Sequence, residues 1–277
     1  MTQKKLEQYL VYGNPIAQSR SPDIHHIFAN QSQKDISYKK QLVELGGFPE
    51  AVNRFVSQGG MGANVTAPFK EDALQLSDIL TERASLAGAV NTLTFKNGKV
   101  YGDNTDGEGL VQDLLMHGVT LKQSRILILG AGGAVRGVIL PILAQNPQLI
   151  TITNRTLSKA QDLCQHFNDE RLSACGFDET ENQTFDLVIN ATSASLTGDL
   201  PPIPVSIITS DVVCYDMVYG KHETPFLKWA KAQGAFKIID GLGMLVGQAA
   251  VSFAVWHGIT PDVKPVIDSL RKAIKEG

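Results

Sequence analysis

The run Ile126-Leu127-Ile128-Leu129-Gly130-Ala131-Gly132-Gly133-Ala134-Val135-Arg136 constrains this chain more than any other stretch. Four consecutive apolar residues suit a strand buried on both faces, and such strands belong to parallel sheets with helices on either side. The rhythm that follows agrees: a helix to about Gln145, strand Leu149–Thr153, helix Thr156–Phe167, strands Asp186–Asn190 and Val212–Asp216, helix Thr224–Gln233 and strand Phe236–Asp240. Strands alternating with crossover helices predict an α/β unit. Gly130 permits a tight turn after the first of them, Gly132 lets a backbone approach a pyrophosphate, and the following helix offers free N–H groups and a positive dipole end. The G-x-G-x-x-G pattern is incomplete, because Val135 stands at the third glycine position. Glycine turns also join strands to helices where no ligand binds, so the motif needs a second clue.

The next strand supplies it. A NAD site carries an acid about 20 residues further on to bind the ribose hydroxyls; this chain has Asn154-Arg155-Thr156 there, with Lys159 one turn later. An acid would repel a 2′-phosphate, whereas a guanidinium grips one with paired hydrogen bonds and a hydroxyl adds another. NADP is the expected cofactor. The plainer reading is that Thr156 caps a helix while Arg155 and Lys159 are solvated, and it has more force for Lys159 than for Arg155.

The first third has a different rhythm. Tyr9–Tyr12, Ile36–Leu42, Met61–Thr66 and Asn91–Phe95 read as strands, and Phe48–Gln58 reads as a helix stopped by Gly59-Gly60. Asn97-Gly98 predicts a tight hairpin that joins one antiparallel pair to an otherwise βα-type unit. The apolar segment Leu242–Trp256 is interrupted by Gln248 and Ser252 and is shorter than the roughly 18 residues a membrane span needs, so it reads as a buried helix.

Of the 277 residues, 25 are Lys or Arg and 28 are Asp or Glu, which leaves no global cationic field for a nucleic acid or an anionic membrane. Cys164, Cys175 and Cys214 are odd in number and form no C-x-x-C, which argues for reduced thiols. Met1–Glu7 has no apolar run behind its lysines and so predicts no secretory signal; the cytoplasm is the default. The six histidines show no H-x-x-x-H spacing, so no metal is expected. His25-His26 reads as a helix pair with one ring inward and one wet.

Three polar clusters remain. In Ser19-Arg20-Ser21-Pro22-Asp23, Ser21 as N-cap and Pro22 at the first helical position make a complete helix start, while Ser19 and Ser21 together could also seat a carboxylate at the helix mouth; capping weighs more than anion binding. Asp103-Asn104-Thr105-Asp106-Gly107 precedes a helix but fails as a calcium loop, because Gly102 stands where an aspartate is required. Asn64-Val65-Thr66-Ala67-Pro68-Phe69-Lys70 ends a strand in a lysine that neither the hydrophobic pattern nor the turn explains, unless it is exposed filler. Gln248 puts an amide on the apolar helix, where it needs backbone or ligand partners.

Taken together these segments resemble the shikimate dehydrogenase family. The resemblance is carried by Ser19–Pro22, Asn64–Lys70, Gly88-Ala89-Val90-Asn91-Thr92, Asp103–Gly107, Gly130–Ala134, Asn154–Thr156, Tyr215-Asp216-Met217-Val218-Tyr219 and Asp240-Gly241-Leu242-Gly243-Met244-Leu245 with Gln248. It implies two α/β domains. Residues 1–105 together with 241–277 would bind substrate, and 106–240 would form a Rossmann domain for NADP. It further implies Lys70 and Asp106 as the catalytic pair, and Ser19, Ser21, Thr66, Asn91, Tyr219 and Gln248 as the residues that hold shikimate. Gly130, Ala131, Gly132, Gly133, Ala134, Asn154, Arg155, Thr156, Lys159, Met217 and Gly241 would line NADP. Asn64 lies beside the substrate set, or only stabilises the strand end. The implied reaction is reversible reduction of 3-dehydroshikimate to shikimate by NADPH; the implied partners are small molecules, with a homodimer left open. A quinate/shikimate dehydrogenase that takes either cofactor is the nearest rival, which Ser21 and Arg155 disfavour. A non-catalytic NADP sensor would have no reason to keep Lys70 with Asp106. A methylenetetrahydrofolate dehydrogenase should show another lysine motif, and a glutamyl-tRNA reductase a cysteine in its first domain.

Overall fold

The computed structural model describes residues 6–276; Met1–Lys5, on which part of the reading against a secretory signal rests, lie outside them. The chain forms two compact units, one of residues up to Gly109 with Val246–Val266, the other of Leu110–Leu245 with residues from Ile267 onward.

The first unit holds a six-stranded sheet of β1 (Glu7–Gly13), β2 (Ile36–Leu42), β3 (Gly60–Val65), β4 (Ile79–Leu80), β5 (Thr92–Lys96) and β6 (Lys99–Asp103), in the order β2-β1-β3-β5-β6-β4. β1 pairs in parallel with β2 and β3, whereas β5 runs antiparallel to both β3 and β6. The hairpin expected at Asn97-Gly98 turns through two residues of positive φ, 54° and 70°, as a two-residue turn that matches strand twist requires. β1 is covered on both faces: Leu10 and Tyr12 pack with Val43, Phe48 and Val65, while Tyr9 and Val11 pack with Ile16 and Tyr38.

The second unit holds β7 (Arg125–Leu129), β8 (Leu149–Thr153), β9 (Leu172–Cys175), β10 (Leu187–Asn190), β11 (Val213–Asp216) and β12 (Lys237–Asp240), all parallel, in the order β12-β11-β10-β7-β8-β9. Ile126 and Ile128 enter one core cluster, Leu127 and Leu129 the other. Each of these side chains is fully buried and contributes roughly 1.5–3 kcal/mol, which is why the apolar run must be an interior strand. The order reverses between β7 and β10, and open α/β sheets bind ligands at such a switch point.

Two expectations change. Ser21 is not the N-cap: it is the first residue of the helix Ser21–Gln31, preceded by Arg20, whose guanidinium has no acceptor to cap with, and the Ser21 N–H donates to Ser19 Oγ at 3.3 Å. The expected partition placed 1–105 and 241–277 in one unit and 106–240 in the other, whereas 106–109 group with the first unit, and 241–245 and residues from Ile267 onward with the second. Arg271 fixes the last of these there, donating from Nη1 to Asp240 Oδ2 at 2.6 Å and from Nη2 to Oδ1 at 2.5 Å at the end of β12. The segment Leu242–His257 is a helix as read, and among the described residues no helix is long and apolar enough to cross a membrane.

Candidate functional site

One edge of the first sheet collects the polar residues that the sequence singled out. The parallel strands β1 and β3 end there, and so does β6. Because β5 is antiparallel its first residue lies at the same edge, with Thr92 paired to Asn64 on one side and Asp103 on the other. Loops at this edge carry Ser19, Thr66 and Asn91, and helices that start there begin with Lys70 and Asp106.

Lys70 opens a short helix, Lys70–Leu76, directly after the turn that begins at Thr66. Its Nζ donates to Asp106 Oδ2 at 2.5 Å, with the lysine side chain 32% and the aspartate 16% exposed. Asp106 begins the helix Asp106–Met116, where a carboxylate suits the positive dipole end. Its other oxygen, Oδ1, accepts from Asn91 Nδ2 at 2.8 Å, and its N–H donates to Asn104 Oδ1 at 3.1 Å. The loop before it is tethered by Arg83, whose Nε and Nη2 each donate to Asp103 at 2.7 Å; Thr81 adds a third bond at 2.7 Å. These donors hold the Asp103 carboxyl below its ordinary pKa against the burial that raises it. The lysine is therefore no surface filler: it is half-buried against an anchored carboxylate.

Asn91 is buried and also lies 3.4 Å from Gln248 Oε1. Thr66 is half-buried just beyond β3, its N–H donating to Tyr12 O at 2.9 Å. Ser19 and Ser21 bond one another at 3.2 Å between hydroxyls. Seven expected residues, Ser19, Ser21, Thr66, Lys70, Asn91, Asp106 and Gln248, thus belong to the first unit; Tyr219 lies in the second, after β11. Of the histidine pair, His25 is buried and His26 exposed, as expected.

In the second unit, β7 runs into Gly130, which takes φ +111° and whose added Cβ would stand 3.3 Å from Thr192 Cγ2. Gly132 and Gly133, at the start of the helix Gly133–Leu143, have no atom within 4 Å of where a Cβ would sit, so the space before the free amides is open. Ala134 is exposed beside them, and Val135 is buried, which explains the missing third glycine: that position faces the core. Leu129 pairs with Thr153, so the residues after β8 emerge beside this turn. Asn154 Nδ2 donates to Thr156 O at 2.9 Å, and Arg155, Thr156 and Lys159 are exposed. Thr156 stands at the N-cap, but its side chain makes no cap hydrogen bond, so capping does not account for its hydroxyl. An open glycine turn followed by exposed cations at the adjacent strand end fits a dinucleotide with a 2′-phosphate. At the far side, Gly241 donates its N–H to Val218 O at 3.2 Å, and a Cβ there would collide with the Met217 backbone carbonyl.

Several participants were not singled out by sequence reasoning. Buried Asp216 accepts from Ser195 and Thr224 hydroxyls at 2.6 Å each and from Val218 N–H at 3.0 Å; Asn190 Oδ1 accepts from Thr192 N–H and Oγ1 at 3.1 and 2.7 Å. They shape the loops after β10 and β11, and the polar run Asn190–Ser193 directly after an apolar strand was the available signal. In the first unit, Thr92, Thr105, Ser252 and Tyr38 form a buried polar cluster with Asn64 and Asn91.

The chain matches three family profiles: the shikimate dehydrogenase substrate binding domain over residues 11–93, shikimate/quinate 5-dehydrogenase over 112–197, and the shikimate 5′-dehydrogenase C-terminal domain over 241–271. It is 68% identical over 275 residues to the shikimate dehydrogenase (NADP(+)) of Colwellia psychrerythraea, covering 99% of this chain and 100% of that protein. Among solved structures, an Ael1 enzyme from Pseudomonas putida is 44% identical with a TM-score of 0.93, covering 95% of this chain and 98% of its own. Shikimate 5-dehydrogenase from Thermus thermophilus, in complex with NADP(H) and shikimate, is 32% identical with a TM-score of 0.87, covering 97% of this chain and 100% of its own.

Proposed function

The chain belongs to the shikimate dehydrogenase family, and on that premise we propose that it is an NADP-dependent oxidoreductase that interconverts 3-dehydroshikimate and shikimate in aromatic amino-acid biosynthesis, with Lys70 and Asp106 as its acid–base pair. The observation that carries the assignment of the pair is the 2.5 Å contact between Lys70 Nζ and Asp106 Oδ2 at a sheet edge lined by hydroxyls and amides.

NADPH, when bound, supplies the hydride that reduces the carbonyl carbon. The protein's part is to bind, orient and move a proton. Lys70, its Nζ held on the Asp106 carboxylate, polarises the carbonyl oxygen and donates a proton to it as the alkoxide develops. Asp106 receives the ammonium in one geometry, which aims the transferable proton. In the oxidation direction the lysine takes the proton back. Ser19 and Ser21 hold the substrate carboxylate, and Thr66, Asn91, Tyr219 and Gln248 hold its hydroxyls. Gly130–Ala134 with Asn154 take the pyrophosphate and ribose, Arg155, Thr156 and Lys159 the 2′-phosphate, and Met217 and Gly241 the nicotinamide end. Accordingly the unit of residues up to Gly109 with Val246–Val266 mainly serves the substrate, and the unit containing Leu110–Leu245 the cofactor. We place the enzyme in the cytoplasm, which its three free thiols support.

The test is turnover of purified protein in the oxidation direction with Lys70→Ala and Asp106→Asn beside it. Shikimate-dependent reduction of NADP by the wild type, with both variants strongly impaired, is the expected result; unimpaired variants would remove the pair from its role.

A further inference from the structure

The buried cluster beneath Asn91 has a direction, and that direction can be derived from two backbone groups. Asn91 O can only accept, and it lies 3.1 Å from the Asn64 amide, so the Asn64 atom facing it is Nδ2. Asn64 Oδ1 therefore faces Tyr38, which donates to it at 2.6 Å. Thr105 N–H can only donate, and it lies 2.9 Å from the Asn91 side chain, so the atom facing it is Oδ1. Asn91 Nδ2 therefore faces Asp106 Oδ1 at 2.8 Å. Between the two amides stands Thr92. Its hydroxyl is 2.8 Å from Asn91 Oδ1, which only accepts, so it donates there, and its oxygen accepts from Asn64 Nδ2 at 3.2 Å; Ser252 Oγ, 2.7 Å away, donates in turn to Gln248 O at 3.0 Å.

From this geometry we infer that Thr92 and Tyr38 are positioning residues for the catalytic pair: a one-way chain of donors runs from Tyr38 through Asn64, Thr92 and Asn91 to Asp106, and holds that carboxylate in the orientation that receives Lys70. The inference rests on the assignment of Lys70 and Asp106 made above. Thr92 and Ser252 are 0% exposed, Tyr38 and Asn91 2% and Asn64 5%, so Thr92 and Ser252 act through other residues. Chains of this kind strengthen each bond by polarising the next, and in a low-dielectric interior they fix one arrangement of amides and hydroxyls. Tyr38 is itself held face to face on His25, ring centroids 4.3 Å apart at 7°. Neither residue is marked by local sequence as part of the catalytic pair's surroundings: Tyr38 sits mid-strand, and Thr92 opens a strand at the end of the Gly88–Thr92 motif.

Thr92→Val keeps the shape and removes the hydroxyl; Thr92→Ser keeps the hydroxyl. We expect Thr92→Val to lower kcat about tenfold, which corresponds to ~1.4 kcal/mol, with the KM for shikimate changed by less than about threefold, and Thr92→Ser to restore kcat to within about twofold. Tyr38→Phe, which keeps the ring stack, lowers kcat in the same sense and carries the test alone should Thr92→Val yield no soluble protein. Thr92→Val kcat within twofold of wild type overturns the inference, as does equal impairment of Thr92→Ser, or a rise in KM at unchanged kcat, which would tie Thr92 to the substrate amide alone. Wild-type turnover with shikimate and NADP, measured on the same preparations, separates the two levels: its absence removes the functional reading and this inference together, whereas normal wild-type turnover beside an unimpaired Thr92→Val removes this inference only.

Discussion

Lys70 Nζ and Asp106 Oδ2 are 2.5 Å apart, while the carboxylate's second oxygen is taken by Asn91. A lysine held this way has a defined direction as well as a charge, and proton transfer by a positioned group is worth 10²–10⁴-fold in rate. Lys70→Ala should therefore reduce kcat by about 10²-fold or more, with the KM for shikimate within a few-fold of wild type. Steady-state kinetics decides it. Large loss of binding at near-normal turnover would mean that Lys70 only anchors the substrate.

Arg155 is exposed just beyond the end of β8, where we propose that it grips a 2′-phosphate that NAD lacks. Hydrogen bonds to a charged group contribute about 1.5–3 kcal/mol, so Arg155→Ala should raise the KM for NADP by roughly ten- to a hundredfold and leave activity with NAD unchanged. Equal losses with both cofactors would place Arg155 elsewhere.

Gly241 admits no side chain, because a Cβ would meet the Met217 backbone carbonyl, which has no soft rotamer to yield. Overpacking of this kind costs about 1–3 kcal/mol. Gly241→Ala should lower Tm by several degrees and weaken NADPH binding, followed by cofactor fluorescence. Unchanged Tm and affinity would show that the loop after β11 moves aside freely.

His25 is fully buried, and burial pushes its pKa down to about 3 against a weaker contact with Asn64 that raises it. The unfolded chain, with the histidine near 6.5, binds the proton more readily, so stability falls as pH drops from about 6.5 toward 3, by roughly 1.4 kcal/mol per pH unit. Urea unfolding of wild type at pH 7.5 and 5 should show this loss, and His25→Phe should flatten it. Flattening will be partial, because burial also lowers the pKa of neighbouring His257. An unchanged pH slope in the variant would mean that the ring charges without cost in the folded state.

The parts of the fold legible in the sequence are those where one face or one turn dictates the residue. β7 was readable because both faces of Ile126–Leu129 are buried, and the Asn97-Gly98 hairpin because it needs two positive φ values. β9 was missed because Leu172–Cys175 is an edge strand with only Leu172 buried, and β4 because it has two residues. Ser21 looked like an N-cap from its neighbours, yet it is itself the first helical residue and its N–H donates to Ser19 Oγ. At the site, Lys70 and Asp106 could be named from motifs, but not their geometry. Thr92 and Ser252 were named only as part of a motif and as a break in an apolar run, since they meet across 160 residues of chain and no local pattern encodes that contact. The placement of residues from Ile267 onward depended in the same way on one remote pair, Arg271 with Asp240.

The central claim is shikimate and NADP specificity, and one assay tests it most directly: formation of reduced nicotinamide by the wild-type protein with shikimate or quinate, each paired with NADP or NAD. Rapid turnover confined largely to shikimate with NADP is the predicted result. Turnover of quinate with NAD comparable to that of shikimate with NADP would contradict it.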